Sequence, residues 1–186
     1  MNETLKTIHS RRSYRAFKPE QIRDEELKAI LEAAKVAPSA ANQQSWHFTV
    51  VQNPSLLSKI DQICKAAALN SPIPALKERA QAKDFSIFYH APTVVIISGD
   101  SKAIAPLHDA VLAMSNIFLA AESLGIGSCW IHAVFTQLNS EAGKDVLREL
   151  KIPEGYVPQC SAALGYKIAD APARAPRKEQ TVTFIK

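Results

Sequence analysis

The sequence has little of what marks several common protein classes. Its three cysteines, Cys64, Cys129 and Cys160, are scattered and form no CxxC pair, which argues against a disulfide framework and a zinc site. No apolar stretch approaches the roughly 20 residues that a bilayer span needs. The polar start of the chain also lacks the apolar core of a signal peptide. We therefore expect a cytoplasmic protein that holds no metal and contacts no membrane.

The charge of the chain is mild but unevenly distributed. A net charge of +4 does not by itself indicate a nucleic-acid partner, and we expect none. Basic residues cluster near both ends, at Arg11–Lys18 and at Arg174–Lys178. Two such clusters could converge on one anionic group.

Hydrophobic periodicity predicts interleaved helices and strands, and therefore a mixed α and β fold in a single domain, residues 1–186. The predicted helices span residues 2–9, 24–36, 54–69, 75–83, 107–124 and 138–150. The predicted strands span residues 46–52, 93–97, 128–133, 159–166 and 181–185. The helix at 107–124 has the strongest apolar stripe, which runs from Leu107 through Val111 and Met114 to Leu124. Residues 169–177 have no period and are expected to form a surface connection.

The first motif is the basic segment RRSYRAF, residues 11–17. In an extended segment Arg11, Ser13 and Arg15 lie on the same side, because side chains alternate. Two guanidinium groups and a hydroxyl can hold a phosphate by charge-assisted hydrogen bonds. A solvated basic turn is the alternative interpretation of this segment taken alone.

The second motif, PSAANQQSW, spans residues 38–46 and follows a predicted helix. Its small residues would let the backbone approach a flat ring closely, and Asn42 and Gln44 can donate and accept hydrogen bonds. For this segment taken alone, an ordinary polar loop is the better interpretation.

The third motif, LGIGSCWI, spans residues 124–131 and contains two of only six glycines. It is not a dinucleotide-binding fingerprint, because its glycines follow a helix and lead into a strand, which is the reverse order. A helix cap followed by a turn, with Trp130 in the core, is the alternative.

Together with the tail Pro176-Arg177-Lys178, these three segments resemble the FMN-dependent nitroreductase family in order and spacing. The resemblance runs from Leu5 to about Phe184. It implies an α+β fold with a central, mostly antiparallel sheet flanked by helices. It also implies a homodimer with a long helix at its centre, a C-terminal strand that extends onto the partner subunit, and FMN at the subunit interface.

The resemblance further implies which residues contact FMN. They are Arg11, Arg12, Ser13, Arg15, Pro38, Ser39, Ala40, Asn42, Asn70, His132, Ala133 and Arg177. Arg177 would join the first cluster at the phosphate, Arg15 would lie near flavin N1 and O2, and residues 38–40 would come from the other subunit. His132 and Ala133 would offer backbone groups to N5. The sequence around Asn70 matches the family poorly, and Ser45 stands where proline is usual, which puts the rigidity of that loop in doubt.

The implied activity is hydride transfer from NADH or NADPH to small electron-poor acceptors such as nitroaromatics or quinones. The flavin carries this chemistry, so no catalytic side chain is required, and a shared site predicts ping-pong kinetics. Enone reduction, reductive dehalogenation and oxidative breakdown of flavin remain alternatives on the same scaffold. So does a flavin-binding protein without turnover.

Overall fold

The computed structural model describes residues 1–171 and 173–186, so Pro172, within the predicted connection 169–177, lies outside the described residues. A four-stranded sheet forms the centre of the fold, and each neighbouring pair of strands is antiparallel. The strands are β1 (Trp46–Val51), β2 (Thr93–Asp100), β3 (Ile126–Trp130) and β4 (Tyr156–Tyr166). Their order across the sheet is β1-β2-β4-β3, which places β1 and β3 at opposite edges. The predicted antiparallel sheet is confirmed.

Helices surround this sheet. They are α1 (Glu3–Ser10), α2 (Asp24–Lys35), α3 (Pro54–Leu69), α4 (Pro74–Gln81), α5 (Pro106–Ser123), α6 (His132–Leu138) and α7 (Lys144–Glu149). Short 3-10 turns occupy Ala40–Asn42 and Glu141–Gly143. The ends of α3 match the prediction, because Pro54 opens it and the Asn53 side chain accepts a hydrogen bond from the Leu56 amide as an N-cap.

The two faces of the sheet carry separate cores. Alternate residues of β2 point to opposite sides, so Val94 and Ile96 join one core and Val95 and Ile97 the other. The first core is completed by residues of α3 and α6, and the second by residues of α2 and α5. This burial on both faces explains the continuous β-branched run that predicts β2.

Helix α5 has two apolar surfaces rather than the single predicted stripe. Ala110, Met114, Ile117 and Ala121 are fully buried against the sheet. Leu107, Val111, Leu112 and Leu124 are instead between 41% and 46% exposed. Part of the predicted stripe, Leu107 and Val111, is therefore exposed, and Leu124 follows the last residue of the helix. The sheet covers only one side of α5.

Three predicted segments differ from the structure. Strand β3 ends at Trp130 rather than at residue 133, and α6 begins at His132. The predicted helix 138–150 is broken between α6 and α7. Gly143 permits this break, because a Cβ there would lie 2.4 Å from the Gln137 carbonyl oxygen. Residues 181–185 pair with no strand among the described residues. Their alternation suits a strand, but a strand needs an edge to pair with.

Candidate active site

The RRSYRAF segment runs alongside β3 and the end of β4. The Tyr14 amide donates to the Ser128 carbonyl at 2.9 Å, and the Lys18 amide donates to the Tyr166 carbonyl at 2.9 Å. Tyr14 and Phe17 are buried, which anchors the segment and leaves Arg15 exposed. Ser13 and Arg15 line one cavity of about 270 Å³ together with Ala169 and Asp170. Tyr14 and Ala16 line the same cavity and Arg11 does not, so the predicted placement of Arg11, Ser13 and Arg15 on one side stays a prediction.

Arg12 points elsewhere. Its guanidinium donates to the carbonyl oxygens of His9, Ser10 and Arg11 at 2.7, 2.9 and 2.9 Å, and so caps the C-terminus of α1. Arg174 also donates to the His9 carbonyl. The two ends of the chain therefore meet at α1. The cap uses one nitrogen of the Arg12 guanidinium, and contact of Arg12 with FMN stays a prediction.

Three guanidinium groups surround the end of β3. Arg11 lies 6.0 Å from the ring of Phe118, and Arg15 and Arg79 lie 5.9 Å and 4.4 Å from the ring of Tyr89. Burial raises the pKa of the Cys129 thiol, and Arg15, Arg79 and Arg11 all act against that rise, so all three are near this strand.

Arg79 is the member of this group that sequence analysis missed. It lies in the polar helix predicted over residues 75–83, where an arginine is indistinguishable from a solvent-facing one. Within residues 1–171 and 173–186, no carboxylate lies within 4.0 Å of any of the three guanidinium groups. No ion pair within the described residues therefore neutralises these three guanidinium groups.

The loop of residues 38–45 is fixed by a buried carboxylate. Asp109, only 1% exposed, accepts hydrogen bonds from the Ala40 amide at 2.9 Å and from the Ser45 hydroxyl at 2.6 Å. Within the loop, Ala41, Asn42 and Gln44 have φ of +50°, +54° and +49°, a region that side chains other than glycine seldom adopt. Asp109 thus holds a strained backbone in place. Sequence analysis overlooked it within the apolar helix α5.

This loop and the RRSYRAF segment lie at opposite edges of the sheet. The loop leads into β1, whereas Ser13 forms a bridge with Ser128 on the outer side of β3. Adjacent strands are about 4.8 Å apart, so the two motifs are separated by more than about 14 Å. Within one chain the two motifs therefore lie at opposite sides of the sheet.

The remaining predicted residues occupy other places. Asn70 caps the C-terminus of α3, where its side chain donates to the Ala66 carbonyl at 2.9 Å and borders a cavity with Gln137. His132 and Ala133 form the first turn of α6, where the exposed His132 ring lies edge-on to Phe135, with 4.7 Å between the ring centroids. Arg177 is exposed in the C-terminal segment. Contact of these residues with FMN stays a prediction.

No group of three or more histidine, cysteine, aspartate or glutamate side chains within residues 1–171 and 173–186 could hold a metal ion. None of the helices in this part of the chain has the length and apolar character needed to cross a membrane.

Comparison with known proteins identifies the family. The model of the nitroreductase family matches residues 8–166. The chain belongs to the nitroreductase family. This chain is 38% identical to a nitroreductase with bound FMN from Bacteroides fragilis. The two structures superpose with a TM-score of 0.89, and the match covers 100% of both chains. A nitroreductase with bound FMN from Desulfitobacterium hafniense shares 33% identity, a TM-score of 0.90 and the same coverage.

A relative from Bacillus subtilis, named as an FMN reductase that uses NAD(P)H, is 28% identical over 184 residues. The match covers 97% of this chain and 72% of that protein. The resemblance derived from the four sequence motifs is confirmed.

Proposed function

We propose that this member of the nitroreductase family binds FMN as a homodimer and transfers hydride from NADH or NADPH to small electron-poor acceptors, such as nitroaromatics or quinones. FMN supplies the redox chemistry when it is bound. The protein then has to bind the cofactor, orient it and exclude competing reactions. The names of relatives that hold FMN or use NAD(P)H support this choice.

The observation that carries the proposal is the cationic edge at β3. FMN ends in a phosphate that carries close to two negative charges, and its ring gains negative charge on reduction. Arg11 and Ser13 would hold the phosphate, joined by Arg177, and Arg15 would face the ring. Because these guanidinium groups have no carboxylate partner within the described residues, an anionic cofactor would neutralise them.

The separation of the two motifs supports a dimer. Pro38, Ser39 and Ala40 lie too far from Arg15 in one chain, so a second copy would supply them to the ring. Two apolar surfaces are available for such an interface: the exposed side of α5, and the C-terminal residues Val182, Phe184 and Ile185, which are 68%, 81% and 95% exposed. Obligate dimers of this kind commonly bury more than about 2,000 Å².

The visible spectrum of the purified protein tests cofactor binding directly. Bound FMN should bleach rapidly when NADH or NADPH is added without oxygen, and mass spectrometry of the released cofactor should identify FMN rather than FAD. Initial rates with a panel of nitroaromatics and quinones should give the parallel reciprocal plots of a ping-pong reaction. A flavin that stays oxidised would instead favour a binding protein without turnover. Sedimentation that shows a monomer with stoichiometric FMN would refute the interface site.

A further inference from the structure

A second cavity adjoins the proposed FMN-binding residues. It has a volume of about 330 Å³ and lies between the RRSYRAF segment and residues 82–90. Arg15, Arg79, Phe85 and Tyr89 contribute to its lining. Arg15 also lines the cavity that contains Ser13, so the two spaces are neighbours. A molecule in the second cavity would therefore lie next to the cofactor site.

Arg79 is held rigidly at this cavity. Its guanidinium donates to the Tyr89 hydroxyl at 2.9 Å and to the Ser86 carbonyl at 3.1 Å. It also lies 4.4 Å from the ring centroid of Tyr89 and 5.2 Å from that of Phe85. Such stacking fixes the plane of the guanidinium and keeps its charge in place.

The surrounding loop is fixed as well. The Ser86 hydroxyl accepts hydrogen bonds from the amides of Phe88 and His90, and Asp61 accepts one from the Ile87 amide at 2.5 Å. These contacts hold Tyr89 and His90 at φ of +55° and +60°. Backbone strain of this kind persists only where the surrounding contacts enforce it, and it is concentrated at ligand sites. The cavity is thus built before any ligand arrives.

Two guanidinium groups, those of Arg15 and Arg79, and one carboxylate, that of Asp84, line this cavity, so the cations outnumber the acid. Arg15 and Arg79 stand at the same aromatic ring, and within residues 1–171 and 173–186 neither guanidinium has a carboxylate within 4.0 Å. A guanidinium has five N–H donors, and the two hydrogen bonds of Arg79 leave others available. An oxyanion would meet these donors and relieve the repulsion between the two cations.

We propose that this cavity selects a substrate that carries a carboxylate or phosphate on a small flat framework, with Arg79 as the residue that recognises the oxyanion. The proposal rests on the proposed function, because the cavity adjoins the FMN site. The oxyanion could belong to the acceptor, as in a carboxylated nitroaromatic, or to the nicotinamide nucleotide. Phe85 and Tyr89 provide the flat apolar surface that the rest of such a molecule needs.

The test compares Arg79→Gln with the parent protein in each half-reaction, measured separately by stopped flow. The acceptor pair is 4-nitrobenzoate and neutral 4-nitrobenzamide. The donor pair is NADPH and a neutral N-benzyl dihydronicotinamide. We expect Arg79→Gln to lower kcat/KM at least about tenfold for the anionic member of one pair and less than about twofold for its neutral analogue. The pair that responds identifies which substrate carries the oxyanion.

Two variants complete the design. Arg148→Gln removes an exposed arginine of α7 and should change neither pair. Arg79→Lys keeps the charge but loses the planar group, so it should restore only part of the discrimination. Equal losses for charged and neutral members in both pairs would overturn the proposal, because they would make Arg79 a structural residue of the loop. No loss in either pair would overturn it as well.

A binding measurement separates this proposal from the proposed function. Calorimetry on the oxidised flavin-loaded protein with 4-nitrobenzoate, and with NADP⁺ in place of NADPH, needs no turnover. Both ligands can also be titrated into the flavin-free protein. If Arg79→Gln raises the dissociation constant of either anion at least about tenfold, the anion site is supported, even if the acceptors are not reduced. If Arg79→Gln leaves the dissociation constants of both anions unchanged, the site is refuted, even if the protein is an active reductase.

Discussion

The Ser45 hydroxyl donates a hydrogen bond to Oδ2 of the buried Asp109 carboxylate, with 2.6 Å between the two oxygens and 64 positions of sequence between the residues. The sequence alone leaves the rigidity of this loop in doubt, because the resemblance to the family implies a proline where Ser45 stands. The structure supplies the rigidity by another route. A proline would restrict the backbone at residue 45, whereas the hydroxyl ties the same residue to α5. The Ala40 amide shares that carboxylate, so one side chain holds both ends of the segment.

Asp109→Ala should therefore weaken both the fold and the cofactor site. The change leaves the buried Ser45 hydroxyl and the Ala40 amide without their partner, and each unsatisfied group costs about 1–3 kcal/mol. We expect the free energy of unfolding in urea to fall by about 2–4 kcal/mol. We also expect the FMN dissociation constant to rise at least about tenfold, because the strained loop loses its support.

Ser45→Ala is the matched variant for this test. It keeps the contact of Ala40 with Asp109 but removes one of the two hydrogen bonds to a buried carboxylate, so the loss of stability should be about 1.5–3 kcal/mol. An Asp109→Ala protein that is destabilised but binds FMN as tightly as the parent would show that the carboxylate supports the fold alone.

Glu26 should contribute to stability in a manner that depends on pH. It accepts hydrogen bonds from Arg23 at 2.6 Å and from the Tyr166 hydroxyl at 2.5 Å, and so ties α2 to the end of β4. Arg23, followed by Tyr166, lowers the pKa of Glu26 to about 2. A carboxyl whose pKa is lower in the folded state stabilises the fold above its ordinary pKa, near 4.5. That contribution is lost as the pH falls from about 4.5 through about 2.

We expect Glu26→Gln to lower the Tm at pH 7 and to make the decline in Tm between pH 5 and pH 3 shallower, as measured by circular dichroism. Glu25→Gln is the control, because Glu25 is exposed one position earlier in the same helix turn. Identical pH profiles for the two variants would contradict the role given to Glu26.

Local sequence patterns predicted most of the helices and strands, whereas contacts between residues far apart in sequence could not be predicted. The bounds of α3 follow from its opening proline, its cap and its amphipathic spacing, all of which are local. The strand predicted over residues 181–185 stays a prediction, because alternation shows that a segment can pair but not whether its partner strand belongs to the same chain or to a second subunit. The roles of Asp109 and Arg79 could not be predicted for a related reason, because both roles depend on contacts with other segments of the chain.

The three thiols should be unreactive in the folded protein. Burial raises the pKa of Cys64 and of Cys160 to about 12, and it raises the pKa of Cys129 as well. The thiolate is the reactive form, so the native thiols should not react with Ellman's reagent at pH 8. All three should react in guanidinium chloride. Rapid reaction of one thiol in the native protein would show that the residues packed over it move apart in solution.

Arg15 and Arg177 should affect the cofactor in different ways. If Arg15 faces flavin N1 and O2, its contact strengthens when the ring gains negative charge, so its removal hurts the reduced state more. A charge-assisted hydrogen bond contributes roughly 1.5–3 kcal/mol, and about 30 mV corresponds to 1.4 kcal/mol for a two-electron couple. Arg15→Ala should therefore lower the flavin potential by some tens of millivolts while FMN still binds.

Arg177→Ala should do the reverse, because the charge of a phosphate does not change with the redox state of the ring. It should weaken FMN binding and leave the potential nearly unchanged. Spectroelectrochemical titration and FMN titration of both variants separate these effects. If both arginines are only surface residues, neither quantity moves in either variant. If the flavin potential of Arg15→Ala equals that of the parent within error, Arg15 does not contact the flavin ring. This holds even if Arg177→Ala loses FMN as expected.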